Sequence, residues 1–480
     1  MKGKTITVAG VLLLVAGVPR GAHAQPECRK FDFIAEYVNV PTPGPSDIAG
    51  LDGAQGVAVS PDGACVYAVG AVDDSIVIFN RNPTTGALTY LENHSDGDMS
   101  GVIDGLNGAT SVVVTPDNED GNAFVFVAGE ADDRIATFEQ QPGSCQLDYL
   151  GANSHLDLNG VRDLALSPDG LDLLTVNGAG AGTLVSFAIN SNGTLTHLQT
   201  FIDNTSLSTC LAGASGVAVS ADGNCVYVAA AGDDALCVFN RDAGSGILAV
   251  SQEFDEDQGA DMLNDVRAVA ASPDNKSVYA VAHASDALTV ATRQPPSVGD
   301  AYGCNLAITQ ELTGATLNGA VGVLVHPNDR RVFVAADAAD AITHYQRDTG
   351  TGELTVPMAT SSNTVLNGAY DLAIGGLDLY IANSDRDSVA AFEVDDCCGN
   401  GVLNVGEMCD HPVCCSSDCS TPATAGTSCN ADSNLCTPGD SCDGNGMCVA
   451  AACAVDAACT KPCGGGPGTC QTSGSSCVCQ

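Results

Sequence analysis

The sequence has little positive charge and few aromatic side chains. Its 480 residues include 17 lysines and arginines against 58 aspartates and glutamates, a formal net charge of −41, and aromatic residues make up only 5% with no tryptophan. A surface this acidic repels phosphate backbones, so the composition excludes nucleic acid as a partner. The scarcity of aromatic rings argues against a carbohydrate groove lined by stacked indoles. We therefore expect cations or neutral groups as partners.

Long apolar runs are absent beyond the N-terminus, where two lysines precede an apolar stretch over 6–18 and a small-residue site over 22–24. This order is typical of a secretory signal peptide, here residues 1–24. The stretch is too short to span a bilayer comfortably, and no later run approaches 18 apolar residues. We expect a secreted protein, extracellular or periplasmic, without an integral membrane anchor.

Several catalytic motifs are also missing. The chain contains no Gly-x-Ser-x-Gly elbow, no His-Glu-x-x-His helix and no phosphate-binding loop. Serine hydrolase, zinc protease and nucleotide chemistry therefore lack support, and no organic cofactor is expected.

A repeat occupies most of the chain. Seven units begin with tripeptides similar to Leu-Asn-Gly, spaced by about 52 residues. Their first residues are Leu51, Leu106, Leu158, Leu211, Leu263, Leu317 and Leu366. Each unit holds four short Val-rich runs separated by Pro-Asp-Gly and Thr-Gly turns, which leave no room for amphipathic helices. Four short strands per unit indicate a blade, so we predict an all-β, seven-bladed β-propeller over residues 25–396.

The seventh unit lacks its fourth strand, because it ends after Phe392. The segment 28–34 near the N-terminus has the pattern of a fourth strand, and pairing it with blade 7 would close the ring and remove an exposed edge. In a four-stranded blade the third strand ends on the face where the fourth begins. We therefore predict a disulfide between Cys28 and Cys397.

The Ser-Pro-Asp-Gly turn, the Val-Tyr-Ala-Val strand and the Asp-containing turn that follows resemble the lactonase-type seven-bladed propellers, also called YVTN repeat proteins, over residues 28–396. For the lactonases and cycloisomerases of that family, the resemblance implies histidine, arginine and glutamate at the channel rim, where the innermost strands begin. The matching positions here are Gln55, Thr110, Arg162, Ser215, Arg267, Val321 and Tyr370. Two are arginines and none is histidine; His326 and His283 lie elsewhere in their units.

Arg162 and Arg267 occupy equivalent positions two blades apart. In a propeller both would point toward the channel mouth and could clamp one carboxylate or phosphate, which makes them the candidate catalytic residues. The alternative is that each pairs with acidic turns on the same face, among them Asp132–Asp133 and Asp233–Asp234. The candidate ligand-binding residues are Arg162, Arg267, Gln55 and Tyr370.

An aspartate precedes the third strand in six of the seven units, with Gly182 in the remaining one. The six are Asp74, Asp133, Asp234, Asp286, Asp340 and Asp387. Such a side chain can accept hydrogen bonds from its own turn, and we favour that role over a ring of metal ligands. The turn Asp117–Asp120 could hold calcium, although it does not match an EF-hand loop.

Cysteine is concentrated at the C-terminus, with 16 of the 23 in the last 84 residues. In an exported protein this density indicates a disulfide scaffold. Zinc is the alternative, but only His411 could join the thiolates. We therefore predict a small, cysteine-rich, disulfide-stapled module over 397–480.

The segment 397–449 resembles the disintegrin-like modules of secreted metalloproteases and the cysteine-rich repeats of exported myxobacterial proteins. That resemblance implies a bound Ca²⁺, an ion that takes 6 to 8 oxygen ligands. The matching ligand positions are Asn400, Asn404, Glu407 and Asp410. The alternative is a disulfide-held loop with solvated acids. The loop 430–435 lacks arginine and glycine, so integrin binding is not implied.

Together these patterns predict a secreted β-propeller that acts as a binding or surface-interaction protein, with a calcium-binding tail and an unknown small-molecule or surface partner. The alternative is a lactonase-type hydrolase or cycloisomerase, similar to 6-phosphogluconolactonase, that acts at the channel mouth.

Overall fold

The computed structural model describes residues 31–40, 47–117, 123–203, 210–255, 262–297, 300–355, 357, 359–362 and 365–394, together with short strands beyond residue 440. Phe31–Val394 form one compact unit. Within the described residues no helix is long and apolar enough to cross a membrane.

The unit is built almost entirely of β-strands. Numbered in chain order, they are β1 (Asp32–Val38), β2 (Ala54–Val59), β3 (Cys65–Gly70), β4 (Ser75–Arg81), β5 (Leu88–Ser95), β6 (Ala109–Val114), β7 (Ala123–Gly129), β8 (Arg134–Gln140), β9 (Leu147–Ser154), β10 (Val161–Leu166), β11 (Asp172–Asn177), β12 (Thr183–Ile189), β13 (Leu195–Ile202), β14 (Ala214–Val219), β15 (Cys225–Ala230), β16 (Ala235–Arg241), β17 (Leu248–Phe254), β18 (Val266–Ala271), β19 (Ser277–Ala282), β20 (Ala287–Arg293), β21 (Leu306–Thr313), β22 (Ala320–Val325), β23 (Arg331–Ala336), β24 (Ala341–Gln346), β25 (Ala359–Ser362), β26 (Ala369–Gly375), β27 (Asp378–Asn383) and β28 (Ser388–Glu393). A four-residue helix, α1 (Asp98–Gly101), and a 3₁₀ turn, Ala315–Leu317, lie between blades.

These strands form seven four-stranded antiparallel sheets, and the predicted seven-bladed all-β propeller is confirmed. Four consecutive strands make each of blades 1 to 6, from β2–β5 to β22–β25, and β26, β27 and β28 are joined by β1 in blade 7. The innermost strands, β2, β6, β10, β14, β18, β22 and β26, contact one another around a central channel, and β26 also contacts β2.

The first strand completes the last blade. β1 pairs antiparallel with β28, from Asp32 opposite Glu393 to Val38 opposite Ser388. It lies a few residues later than the segment 28–34 that the sequence pattern indicated. This pairing leaves no open edge between the first and last blades. Cys28 and Cys397 lie outside the described residues.

The core is divided among the blade interfaces. The described residues contain seven apolar clusters, each formed by two neighbouring blades. In one of them, Tyr67 and Val69 of blade 1 pack with Val125 and Val127 of blade 2. The second strand of every blade is buried on both faces. For that reason it is a mainly apolar run in most blades, such as Cys65–Gly70 and Cys225–Ala230, without strict polar alternation.

The turn aspartates join neighbouring blades on the face where the inner strands begin. All six have φ close to +50°. Their Oδ1 atoms accept backbone N–H groups of the following blade, as Asp74 does from Gly108 at 2.8 Å and Asp387 from Gly53 at 3.0 Å. The other four accept in the same way. The prediction that these aspartates accept hydrogen bonds from their own turns is therefore wrong. The donors lie in the next blade, because the start of each third strand contacts the first turn of that blade.

Gly182 replaces the aspartate in blade 3 for a steric reason. A Cβ atom at this position would lie 1.8 Å from the carbonyl oxygen of Leu211, and its φ of +76° is unfavourable for other residues. Glycine thus replaces aspartate at this position because the backbones of blades 3 and 4 approach each other closely there.

On the opposite face, arginines and disulfides join the blades. Arg81 at the end of β4 forms a buried ion pair with Asp378 of blade 7 and donates to the Tyr380 hydroxyl at 2.8 Å. Arg241 pairs in the same way with Asp172 of blade 3. Two disulfides on this face cross between blades, Cys65–Cys145 and Cys225–Cys304. A third disulfide among the described residues, Cys210–Cys237, joins the connection that leads into blade 4 to β16.

The described strands beyond residue 440 form two small antiparallel sheets. They are β29 (Ser441–Cys442) with β30 (Cys448–Val449), and β31 (Ala458–Thr460), β32 (Pro467–Ser473) and β33 (Ser476–Cys479).

Candidate functional site

Seven β-bulges direct one side chain from each blade to the channel mouth. In blade 1, Ala54 pairs with Gly70 and Gly56 pairs with Val69, so Gln55 is the extra residue. The same one-residue shift occurs at the start of every inner strand. A β-bulge leaves one residue unpaired in the sheet and changes the direction in which its side chain points. The seven rim residues are therefore Gln55, Thr110, Arg162, Ser215, Arg267, Val321 and Tyr370, which are the positions singled out in the sequence.

Six of the seven rim residues line one cavity of about 270 Å³. Its lining consists of Gln55, Thr110, Ser111, Glu130, Arg162, Asp163, Ser215, Arg267, Tyr370 and Asp371. All four candidate ligand-binding residues are in this set. Val321, the only apolar rim residue, is 8% exposed and does not line the cavity. The channel mouth is consequently polar and holds both positive and negative charges.

The two arginines have acidic partners but remain partly open to solvent. The Nε atom of Arg162 lies 3.2 Å from Glu130, and Arg267 makes two contacts with Asp265, at 2.7 and 2.8 Å. The arginine side chains are 36% and 37% exposed. Burial opposes the charge of Arg267, but the hydrogen bond and charge of Asp265 outweigh it and raise its pKa. Both guanidinium groups are thus held by a carboxylate and still accessible.

The acidic partners lie in turns on the same face, as the alternative from the sequence proposed, but they are not the four aspartates named there. Asp132 and Asp233 accept backbone N–H groups of their own blades, whereas Asp133 and Asp234 accept from the next blade. The side chains of these four aspartates therefore hydrogen-bond to the backbone of the propeller ring. The pairing of the arginines with carboxylates is observed, but with residues closer to the channel, such as Glu130.

Two carboxyl groups lie directly behind the rim, and sequence reasoning missed both. Asp163 accepts hydrogen bonds from Ser111 Oγ and from the backbone N–H groups of Leu164 and Val217, each at 2.9 Å. Burial raises its pKa against these hydrogen bonds. The sequence did contain an indication of both residues. The residue that follows the rim residue is Gly, Ala or Ser in five blades and aspartate only in blades 3 and 7.

Asp371 of blade 7 is the counterpart of Asp163. Its Oδ2 accepts the backbone N–H of Val57 at 2.9 Å, which ties blade 7 to blade 1. Burial raises the pKa of Asp371 to about 7, against hydrogen bonds from Val57 and Leu372, and the charge of Asp163 adds to this rise. A carboxyl group that titrates near neutral pH in a cavity is suited to accept and release a proton.

Two uncharged polar rim residues, Thr110 and Ser215, hydrogen-bond to the backbone of the next blade. The Thr110 hydroxyl donates to the backbone carbonyl of Arg162 at 3.0 Å, and the Ser215 hydroxyl donates to that of Val266 at 2.9 Å. Burial raises the pKa of Tyr370, against the charges of Arg267 and Arg162. The Tyr370 hydroxyl is therefore neutral and can act as a hydrogen-bond donor.

His283 reaches this end of the propeller although it is not a rim residue. It follows the second strand of blade 5, whose end lies beside the start of the inner strand. Its Nδ1 and Nε2 atoms lie 3.5 Å from Asp265 and Asp337, respectively. This links it through Asp265 to Arg267. Its position just after the second strand was the signal that could have located it.

The remaining predicted sites cannot be placed. The calcium-ligand positions Asn400, Asn404, Glu407 and Asp410 lie outside the described residues. So does most of the turn 117–120.

The fold and this site define a class: a seven-bladed β-propeller with a charged cavity at one mouth of its channel. The sequence model described as "Lactonase, 7-bladed beta-propeller" matches residues 109–299, which span blades 2 to 4 and the first three strands of blade 5. No curated protein matches the chain.

Solved structures share the propeller fold at low sequence identity. Hydrazine synthase from Kuenenia stuttgartiensis is 16% identical with a TM-score of 0.54, covering 79% of this chain and 100% of its own. The periplasmic gluconolactonase of Pseudomonas aeruginosa is 15% identical with a TM-score of 0.52, covering 70% and 95%. A protein from Lactobacillus plantarum is 15% identical with a TM-score of 0.52, covering 69% and 96%. These likenesses concern the fold alone.

Proposed function

We propose that this protein is a lactonase-type enzyme that opens the ring of a small anionic lactone at the channel mouth. The observation that carries the proposal is the placement of Arg162, Arg267 and Asp371 around one cavity. The lactonase model match over residues 109–299 supports it. This is the alternative that the sequence left open, and it has more support than a pure binding role.

The cavity and its charges define the substrate. Pockets for drug-sized ligands begin at roughly 300 Å³, so a cavity of about 270 Å³ takes a small molecule. Guanidinium groups bind carboxylates and phosphates through paired hydrogen bonds. Arg162 and Arg267 would hold the anionic group of the substrate, and their acidic partners keep both side chains in place.

Ring opening needs a base and a donor. In its ionised form Asp371 would take a proton from a water molecule as the water oxygen attacks the lactone carbonyl carbon. The carbonyl oxygen becomes negatively charged, and a guanidinium group or the Tyr370 hydroxyl would stabilise it. When the ring C–O bond breaks, protonated Asp371 would return its proton to the leaving alkoxide. The pKa of about 7 matches both duties at neutral pH.

The three disulfides among the described residues favour an oxidising compartment, as does the signal-like segment 1–24. We therefore place the proposed reaction outside the cytoplasm.

Turnover and binding should be measured together on the full protein. We would follow hydrolysis of 6-phosphogluconolactone, with neutral gluconolactone for comparison, and record thermal shifts with the same compounds. Arg162→Ala and Arg267→Ala should each lower kcat/KM by about 10- to 100-fold for the anionic lactone, the range for a hydrogen bond to a charged group. Arg386→Ala is the matched control, because Arg386 is exposed and pairs with Glu36 away from the cavity.

Equal turnover in the double alanine variant would exclude the arginine clamp. Thermal shifts without any turnover would instead support the binding protein that the composition first indicated.

A further inference from the structure

Two histidines and an aspartate meet on blade 3, outside the channel. His155 follows β9, Asp157 lies in the connection to blade 3, and His197 is in β13. One ligand atom from each lies within 4.8 Å of the other two. The imidazole rings of His155 and His197 stack with centroids 4.2 Å apart and an interplanar angle of 10°. Nδ1 of His155 is 3.5 Å from Asp157 Oδ2.

Thr200 connects Asp157 to His197. The Thr200 hydroxyl donates to Asp157 Oδ2 at 2.7 Å. Nε2 of His197 donates to the same hydroxyl at 2.8 Å, so an ion would either replace that proton on Nε2 or bind Nδ1 of the same ring. The backbone N–H of Asp157 donates to Nδ1 of His155 at 3.3 Å, so this nitrogen is unprotonated, and an ion would bind its single lone pair in place of that hydrogen bond. The carboxylate and both imidazoles therefore face one small volume.

The repeat does not require these histidines. In three other blades the residue after the outer strand is an aspartate, namely Asp96, Asp203 and Asp255, where His155 stands. Blade 3 is also the blade that carries Gly182 in place of the turn aspartate. The cluster thus departs from the repeat at a position where three other blades have an aspartate.

We propose that His155, Asp157 and His197 form a binding site for a divalent transition metal, with Zn²⁺ as the ion. Two imidazole nitrogens and one carboxylate oxygen are a donor set that zinc accepts with a further ligand in the fourth position. Calcium, which takes 6 to 8 oxygens, does not suit it. Since the rings are parallel, one must tilt to share an ion, and the exposed His197 is free to do so.

The metal would strengthen one blade junction. His155 and Asp157 belong to the connection that leaves blade 2, whereas His197 belongs to the outer strand of blade 3. Among the described residues, no disulfide and no buried arginine–aspartate pair joins these two blades. An ion bound only by the folded chain stabilises it more as the ratio of free ion to Kd increases, so Zn²⁺ should raise the Tm of the propeller.

The test is Zn²⁺ titration of the full, oxidised protein by calorimetry, after free thiols are alkylated so that cysteine cannot bind the metal. Thermal unfolding with and without Zn²⁺ provides the second readout. His155→Phe and His197→Phe keep the ring stacking on Phe187 and remove the ligand atoms. The matched control is His94→Phe, because His94 also stacks on a phenylalanine, Phe138, and lies 3.5 Å from a carboxylate, Glu92.

We expect one Zn²⁺ per protein with a Kd on the order of 10⁻⁶ M, and an affinity at least tenfold lower in either cluster variant. The Zn²⁺-induced rise in Tm should disappear in these variants and persist in His94→Phe. Unchanged affinity in the cluster variants, an equal loss in His94→Phe, or no binding at millimolar Zn²⁺ would overturn the proposal. None of these readouts depends on lactone turnover.

Discussion

Replacing Asp371 by asparagine tests the channel-mouth carboxyl group directly, because the change removes the ionisable group and keeps the shape. Asparagine offers one acceptor and donor hydrogens, as the protonated acid offers one acceptor and one donor. The Asp371→Asn variant should therefore resemble the wild-type protein at low pH and differ from it at high pH. It should also lose the proton transfer proposed for lactone opening.

The magnitude follows from the pKa of Asp371, which is about 7 in the folded protein. An aspartate in an unfolded chain titrates near pH 3.9, as a rough reference value. Between these values the folded state holds a proton that the unfolded state has released, so stability falls as pH rises through this window. Each pH unit is worth about 1.4 kcal/mol, and the penalty grows by about 2 kcal/mol from pH 5 to pH 7, where the group is already half ionised. Asparagine does not ionise, so the variant escapes this penalty.

The assay is denaturant unfolding of the wild-type protein and the variant at pH 5 and pH 8, with disulfides intact. Circular dichroism or tyrosine fluorescence must report it, since the chain has no tryptophan. We expect the free energy of unfolding of Asp371→Asn, relative to that of the wild type, to increase by about 3 kcal/mol from pH 5 to pH 8. The control is Asp385→Asn, at an exposed aspartate of the same blade, which should show no such gain.

The same variant should hydrolyse the anionic lactone about 10²- to 10⁴-fold more slowly, the usual contribution of a general base. An equal stability difference at pH 5 and pH 8 would refute the raised pKa. A pH-dependent gain in stability together with unchanged turnover would keep the raised pKa and refute the catalytic role.

Three further predictions concern the ring and the tail. Arg81→Met should lower the free energy of unfolding by about 3 to 5 kcal/mol at pH 7, since it strands the buried carboxylate of Asp378; a denaturant midpoint within error of wild type would contradict this. Peptide mapping of the oxidised protein should recover a Cys28–Cys397 bridge, and a free thiol at either position would exclude it. Calorimetric titration in physiological salt should find one weak Ca²⁺ site in the tail, with a Kd on the order of 10⁻⁴ to 10⁻³ M, that is lost in Asp410→Ala; identical heats for both proteins would remove the site.

The sequence alone was sufficient to predict the propeller. A unit of about 52 residues with four short apolar runs has few other solutions, because each run is too short for a helix and each blade must bury both faces. The resemblance to lactonase-type propellers, applied to the same position in each unit, placed Gln55, Arg162 and Tyr370 at the rim. The period is a local property of the chain, so it can be read without knowing any contact.

The partners of these residues could not be predicted in the same way. The turn aspartates were expected to bond within their own turns, yet Asp74 bonds to Gly108 of the next blade. Arg267 pairs with Asp265, only two residues away, and not with the turn Asp233–Asp234. Repetition marked these positions as structural, but the distance between blades decides which atoms meet.

The chemical character of the site was decided by tertiary structure alone. Asp163 and Asp371 are ordinary aspartates in the sequence, as is Asp265, and His283 belongs to a turn. Only closure of the ring crowds protein atoms around the carboxyl group of Asp371 and places the charge of Asp163 near it, which together raise its pKa. A pKa depends on burial and on neighbours that come from blades far apart in the chain, and the repeat period contains no information about either.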